Sequence, residues 1–306
     1  MKTAAFVVLR VIALTIILFI CFAVAAGVVG LAGNSQTSVG GPLPLIVVCL
    51  LETAVLAYLI LRSSWNGWRL AATVLFVFYG VTTFMPQIES AVFLTRLPPG
   101  TLPRLFLMGA LIAAPFSALA VLILGKRKAE IVDAERNSRL VIPPSEWAWK
   151  LVVIAVAYLI LYFTFGYFVA WRNPAVREYY GGSDEGGFAG QIGRVLRNTP
   201  WLIPFQIVRA MCWVALALPV IRMLKGQRTE TALAIGLLFS VVMNAGLLLP
   251  NPYMPEPVRM AHLVETGSSN FLFGVFIGWL LTKPTAGYIA SKRSPATGSP
   301  ITGLNV

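Results

Sequence analysis

The chain has one histidine, His262, which stands three residues before Glu265. Residues three apart share one face of an α-helix, so the imidazole and the carboxylate can form a hydrogen bond. A histidine oriented in this way can act as a general base, bind a substrate or begin a metal site. Glu89 is a third candidate catalytic residue for the same cluster. The alternative is a structural His–Glu hydrogen bond, and a metal would need more ligands, so we predict none.

Glu52 and Arg209 are charged residues inside long apolar runs. If these runs cross a membrane, each charge is costly to bury and is a functional candidate. We expect the two to pair, because a pair avoids an isolated buried charge. The pair would serve as a structural tie, or Glu52 would take up and release a proton during transport. Otherwise the two are unrelated, and Glu52 is protonated or lines a wet cavity.

Four arginines are the candidate ligands for an anion: Arg172, Arg177, Arg209 and Arg259. The planar guanidinium group binds carboxylate and phosphate through two parallel hydrogen bonds, which a lysine cannot do. Suitable anions are a lipid headgroup, a lipid-linked precursor or a free carboxylate. The alternative is chance, since the chain has 17 arginines and only 7 lysines.

The composition shows which kind of structure must position these residues. Of 306 residues, 58% are hydrophobic and 12% are charged, and the mean hydropathy is +0.79. Soluble proteins carry about 25% charged residues, and disordered chains have low hydrophobicity. Both classes are therefore excluded. The sequence predicts an all-α integral membrane protein with about eight transmembrane helices.

Apolar runs bounded by charge, proline or glycine place the spans at about 7–31, 43–61, 70–86, 104–124, 149–170, 201–221, 232–249 and 258–282. With the N-terminus inside, 16 of the 24 basic residues lie on the inner side, including every lysine. Inner loops collect basic residues, so we expect both termini inside. The net charge of +12 is explained in the same way, and no nucleic-acid partner is predicted.

Two halves of four spans each are expected: residues 1–140 with a cytoplasmic linker, and residues 141–282. Residues 43–62 align without gaps over residues 203–222, and such an even-span repeat would be parallel. The alternative is that apolar sequences align by chance. Residues 283–306 are predicted to be a disordered cytoplasmic tail.

The polar groups that collect on the outer side predict the function. We expect a multi-pass protein of the plasma membrane, in the bacterial inner membrane, that binds or processes an anionic, headgroup-like ligand at its extracytoplasmic face. The alternatives are a secondary transporter that uses Glu52 and Arg209, or a scaffold without chemistry. No nucleotide-binding or hydrolase motif is present, so no cofactor is predicted. The expected partners are membrane lipids and an anionic small molecule or lipid-linked substrate.

Overall fold

The computed structural model describes residues 2–30, 41–94, 97–126, 139–182, 187–251 and 253–283. Nearly all of these residues are helical. The helices are α1 Lys2–Val28, α2 Leu43–Arg62, α3 Gly67–Tyr79, α4 Met85–Phe93, α5 Thr101–Ile123, α6 Pro144–Phe165, α7 Pro174–Tyr180, α8 Gly187–Asn198, α9 Leu202–Met223, α10 Arg228–Leu237 and α11 Glu256–Leu281. The predicted tail and most of the cytoplasmic linker lie outside the described residues.

Single π-helical segments extend three of these helices. Gly80–Phe84 joins α3 to α4, Gly166–Ala170 continues α6, and Leu238–Val242 continues α10. A short 3-10 helix, Ala245–Leu248, then completes the α10 stretch. Such π segments contain an extra residue per turn and are frequent at functional sites.

Seven helical stretches in the described ranges are long and apolar enough to cross a membrane. They are α1, α2, α3 with α4, α5, α6, α9, and α10 with its extension. Each coincides with one of the first seven predicted spans, so an all-α multi-pass architecture is shown. α11 has 26 residues, or about 39 Å at 1.5 Å per residue. It is long enough to cross, but its polar residues make it less apolar than the other seven.

Glycines bring α10 and α11 into close contact. A Cβ atom at Gly274 would lie 2.7 Å from the Ile235 carbonyl oxygen, and one at Gly278 would lie 2.6 Å from Ala232 Cα. These two glycines form the G-x-x-x-G spacing in the sequence, which favours close helix packing. The structure therefore uses this motif between two neighbouring helices.

The same packing pattern occurs in two groups of four helical stretches, which we call quartets. The first consists of α1, α2, α3 with α4, and α5, and the second consists of α6, α9, α10 with its extension, and α11. α1 packs against α2 and α5, and α5 packs against α3; α6 packs against α9 and α11, and α11 packs against α10. In each quartet the third helical stretch along the chain contains a π segment. A hydroxyl side chain of that π segment lies against a glycine of the fourth stretch. Thr83 contacts Gly109 in the first, and Ser240 Oγ donates to the Gly267 carbonyl oxygen at 2.6 Å in the second.

The two quartets are joined by backbone hydrogen bonds at the ends of α2 and α9. Ser64 N donates to the Met223 carbonyl oxygen at 2.6 Å, and Lys225 N donates to the Arg62 carbonyl oxygen at 3.3 Å. The two bonds are reciprocal, because each chain segment gives one donor and one acceptor. They fix the ends of the two aligned helices side by side.

Candidate functional site

His262 and Glu265 occupy the first half of α11, which begins after Pro255. Their side chains are 19% and 10% exposed, and Nδ1 of the imidazole lies 2.7 Å from Oε2 of the carboxylate. The structure therefore brings together the two residues that the helical spacing predicted. Both side chains are mostly buried within the helical bundle.

Tyr180 completes a chain of three hydrogen-bonded groups. Its hydroxyl oxygen lies 3.1 Å from His262 Nε2, and the two rings meet edge to face with centroids 5.8 Å apart. A carboxylate accepts only, so Nδ1 carries the proton towards Glu265. When the imidazole is neutral, the phenol donates to Nε2. Burial is the main cause that raises the pKa of Tyr180, and the negative charge of Glu89 adds to it. The phenol therefore keeps its proton at neutral pH.

α7 is held against α11 by its caps and by packing. The Asn173 side chain accepts from Ala175 N at the start of α7, and Gly181 closes it with a φ of 67°. Val176 is buried with Val258 of α11 in a small apolar cluster. Because Tyr180 is the last residue of α7, this packing fixes its hydroxyl beside His262.

Arg209 forms its ion pair with Glu89. Nη2 lies 2.7 Å from Oε2, Nη1 lies 3.2 Å from Oε1, and Nη1 also lies 3.0 Å from Gln206 Oε1. The Arg209 side chain is 3% exposed and that of Glu89 is 31% exposed. The sequence ended the third span at residue 86, but the helix continues through its π segment to Phe93. Glu89 therefore lies on a membrane helix, where it can reach Arg209.

The expected ion pair between Glu52 and Arg209 is wrong. In the described part of the chain no salt bridge reaches Glu52, and Arg209 uses its two terminal nitrogens on Glu89 and Gln206. The expectation relied on equal depths in the repeat alignment, and depth alone does not select a partner. Glu52 is 3% exposed, and its Oε2 has no hydrogen-bond partner among the described residues.

The other three arginines contact the protein itself. Arg259 is buried, and its Nη1 donates to the carbonyl oxygens of Leu247 and Leu249 at 2.7 and 2.6 Å. Arg177 Nη1 donates to the Trp171 carbonyl oxygen at 2.9 Å. Arg172 lies 5.6 Å from the centroid of the Tyr167 ring. Arg259 therefore has a structural use at the end of the α10 extension, whereas Arg172 and Arg177 stay beside α7.

Glu89 connects the hydrogen-bonded group around His262 with the ion pair of Arg209. Its carboxylate is close enough to interact electrostatically with His262 and Tyr180 as well as with Arg209. Tyr158 and Tyr162 of α6 lie in the field of the same carboxylate. We call this set the polar cluster: Glu89, Tyr158, Tyr162, Tyr180, Gln206, Arg209, His262 and Glu265.

The amphipathic helix α8 was missed by the sequence analysis. It lies between α7 and α9, has no buried residues, and carries Arg194 and Arg197. Phe188 stacks on Phe168 of the α6 extension with ring centroids 5.4 Å apart. The available signal was apolar residues at helical spacing: Phe188, Ile192, Val195 and Leu196. Such a helix is typical of membrane interfaces.

An open groove of about 650 Å³ lies beside α11 but does not belong to the polar cluster. It runs between α11 and the extension of α10, with Leu263, Gly267 and Phe271 on the α11 side. At 3.6 residues per turn these residues face away from His262 and Glu265. Its lining is almost entirely apolar, as expected for a surface in contact with lipid.

No protein-family model, no curated protein and no solved structure matches this chain. Within the described ranges, no three His, Cys, Asp or Glu side chains lie together as metal ligands would. The chemistry of the site therefore has to be argued from its own geometry. That geometry offers a carboxylate-oriented imidazole, a phenol that donates hydrogen bonds, and an Arg–Glu pair beside them.

Proposed function

We propose that the protein binds the anionic headgroup of a membrane lipid, or of a lipid-linked molecule, at the end of the bundle where α7 meets α11. One observation carries the proposal: His262 is held between the Glu265 carboxylate and the Tyr180 hydroxyl. An imidazole in this arrangement can exchange a proton and can present an N–H group to an anion.

The charges around His262 support an anionic ligand. Glu265 stabilises the imidazolium form by direct hydrogen bonding, so a protonated His262 can offer Nε2–H to a phosphate or carboxylate. Glu89 is already paired with Arg209 and leaves little negative charge to repel that ligand. Arg177 is one helical turn before Tyr180 on α7, and Arg172 is in the loop that precedes α7. Both can contribute positive charge at the approach to the site.

The same proposal takes α11 as the eighth span and both termini as cytoplasmic. The basic residues support this threading, because two-thirds of them then lie on the inner side. The polar cluster would face the extracytoplasmic side of a plasma membrane, as in a bacterial inner membrane. α8 would rest in the outer interface, with Arg194 and Arg197 among lipid headgroups.

We further infer that the two quartets are a parallel repeat, with one unit in residues 1–140 and the other in residues 141–282. The matching packing pattern, the two π segments and the reciprocal bonds between α2 and α9 support it. A parallel repeat has a two-fold axis along the membrane normal. The pair formed by Glu89 and Arg209 would then tie one unit to the other across that axis.

The experiment is a lipid-exchange measurement in nanodiscs that contain phosphatidylglycerol and phosphatidylcholine in equal amounts. We expect the wild-type protein to retain phosphatidylglycerol, and His262→Gln to lose that preference because glutamine cannot carry the charge. Phe271→Leu is the matched control, since Phe271 lines the apolar groove on the opposite side of α11 from His262. A wild-type protein without headgroup preference would contradict the proposal and favour a scaffold.

Inorganic phosphate separates a lipid ligand from a soluble anion. If the site takes a lipid headgroup, millimolar phosphate should not displace phosphatidylglycerol, because the lipid is far more concentrated in the bilayer. Displacement by phosphate alone would instead indicate a free anion as the ligand.

A further inference from the structure

Glu52 lies at the middle of α2 and is not part of the polar cluster. It is the tenth of the 20 residues from Leu43 to Arg62, which places it about 15 Å from either end of the helix at 1.5 Å per residue. The side chain is 3% exposed, on the same helix face as the buried residues Cys49 and Leu56. The carboxyl group is therefore far from water at both membrane surfaces.

Nothing described in the structure neutralises a negative charge at Glu52. Its Oε2 accepts no hydrogen bond, and none of the ion pairs among the described residues includes it. The neighbouring Thr53 is fully buried, and its hydroxyl oxygen also has no hydrogen-bond partner in the part of the chain that the structure describes. Arg209, the cation expected to pair with Glu52, is held by Glu89.

In the described ranges, the helices packed against α2 bring no cation close to Glu52. α2 packs against α1, α3, α5, and α10 with its extension. Among the described residues, the only titratable side chain in electrostatic contact with Glu52 is Cys49, on α2 itself, and Cys21 of α1 acts on Cys49 in turn. Both are thiols, which are neutral at physiological pH. An ionised Glu52 would thus be an isolated charge in an apolar environment, which strongly favours the neutral acid.

We propose that Glu52 is a proton-binding site in the membrane interior. In the arrangement seen here it is a neutral carboxylic acid, and it releases its proton only when water or a cation reaches it. Intramembrane acids of this kind act as proton relays in pumps and transporters. The inference does not depend on the headgroup site, because Glu52 lies on another helix at mid-depth. If the protein is instead a transporter, Glu52 is the residue that would bind and release the proton.

Infrared spectroscopy of the protein in lipid vesicles tests the protonation state directly. We expect wild-type protein at neutral pH to show the C=O stretch of a protonated carboxylic acid, and Glu52→Gln to lack it. Glu256→Gln is the matched control and should keep the band, since Glu256 is exposed in the first turn of α11. A wild-type spectrum without the band would overturn the proposal, as would a band that persists in Glu52→Gln.

Dicyclohexylcarbodiimide provides a second measurement that needs no variant. This apolar reagent adds to protonated carboxyl groups inside membranes, and the adduct is located by mass spectrometry of the α2 peptide. We expect Glu52 to be labelled at mildly acidic pH and labelling to fall as the pH is raised. Should Glu52→Gln fail to fold, this wild-type titration decides the question. Labelling that does not fall with rising pH would contradict reversible proton release.

Discussion

Arg209 and Glu89 are joined by two hydrogen bonds, 2.7 Å from Nη2 to Oε2 and 3.2 Å from Nη1 to Oε1, although they are 120 residues apart. The pair links α4 of the first quartet to α9 of the second. Its members are unequally buried, since Arg209 is 3% and Glu89 31% exposed. Loss of either partner should therefore have unequal consequences.

Glu89→Gln should lower the free energy of unfolding by about 3–5 kcal/mol, because it strands the buried Arg209 cation. Arg209→Gln should cost less, because the Glu89 carboxylate is partly reached by solvent. The double variant should cost less than the sum of the two. Steric-trapping measurements in bicelles give these free energies. If the loss of stability in the double variant equalled the sum of the two single losses, the two side chains would not interact energetically.

Glu52 and Arg209 provide the contrasting cycle. The two side chains do not pair, so Glu52→Gln and Arg209→Gln should be additive within about 0.5 kcal/mol. The same unfolding measurement applies. A coupling as large as that of Glu89 with Arg209 would mean that the two residues meet after all.

The sequence predicted the spans well and the partners poorly, for physical reasons. Bilayer thickness imposes apolar runs of about 20 residues, and such runs are visible without a structure. The His262–Glu265 contact was also predictable, because it depends only on local helical spacing. The Glu89–Arg209 pair depends on a π segment and on the packing of distant helices, neither of which leaves a local pattern. Helix α8, in contrast, could have been predicted from a local pattern, because its apolar residues recur at helical spacing.

Gly274→Ala should destabilise the protein by about 1–3 kcal/mol, because its added methyl group would force α10 and α11 apart. The new Cβ would lie 2.7 Å from the Ile235 carbonyl oxygen. Gly27→Ala is the control, since a Cβ there meets nothing within 4 Å, and alanine favours a helix by about 1 kcal/mol. Equal effects of the two substitutions on unfolding would show that this close contact is not formed.

Membrane topology can be read from reporter fusions at Lys126, Gly182 and Lys283. We expect cytoplasmic signals at Lys126 and Lys283 and an extracytoplasmic signal at Gly182. An extracytoplasmic Lys283 would remove α11 as a span. A cytoplasmic Gly182 would instead place the polar cluster at the inner face and contradict the proposed site.

Tyr180→Phe should weaken the preference for phosphatidylglycerol about 5- to 10-fold, because it removes one hydrogen bond worth about 1–1.5 kcal/mol. The ring remains, so the edge-to-face packing on His262 is kept. Lipid exchange in nanodiscs measures the change. Phe188→Leu in α8 is a control that alters an aromatic contact outside the polar cluster. If both variants weakened the preference equally, Tyr180 would have no specific part in binding.

Native mass spectrometry of the protein released from its own membrane tests the central claim most directly. The wild-type protein should carry a bound anionic lipid, and His262→Gln, purified in the same folded state, should carry it at less than a tenth of the wild-type occupancy. Phe271→Leu, on the opposite side of α11, should match wild type. Equal occupancy in wild type and His262→Gln would contradict the assignment of the headgroup site to His262, Glu265 and Tyr180.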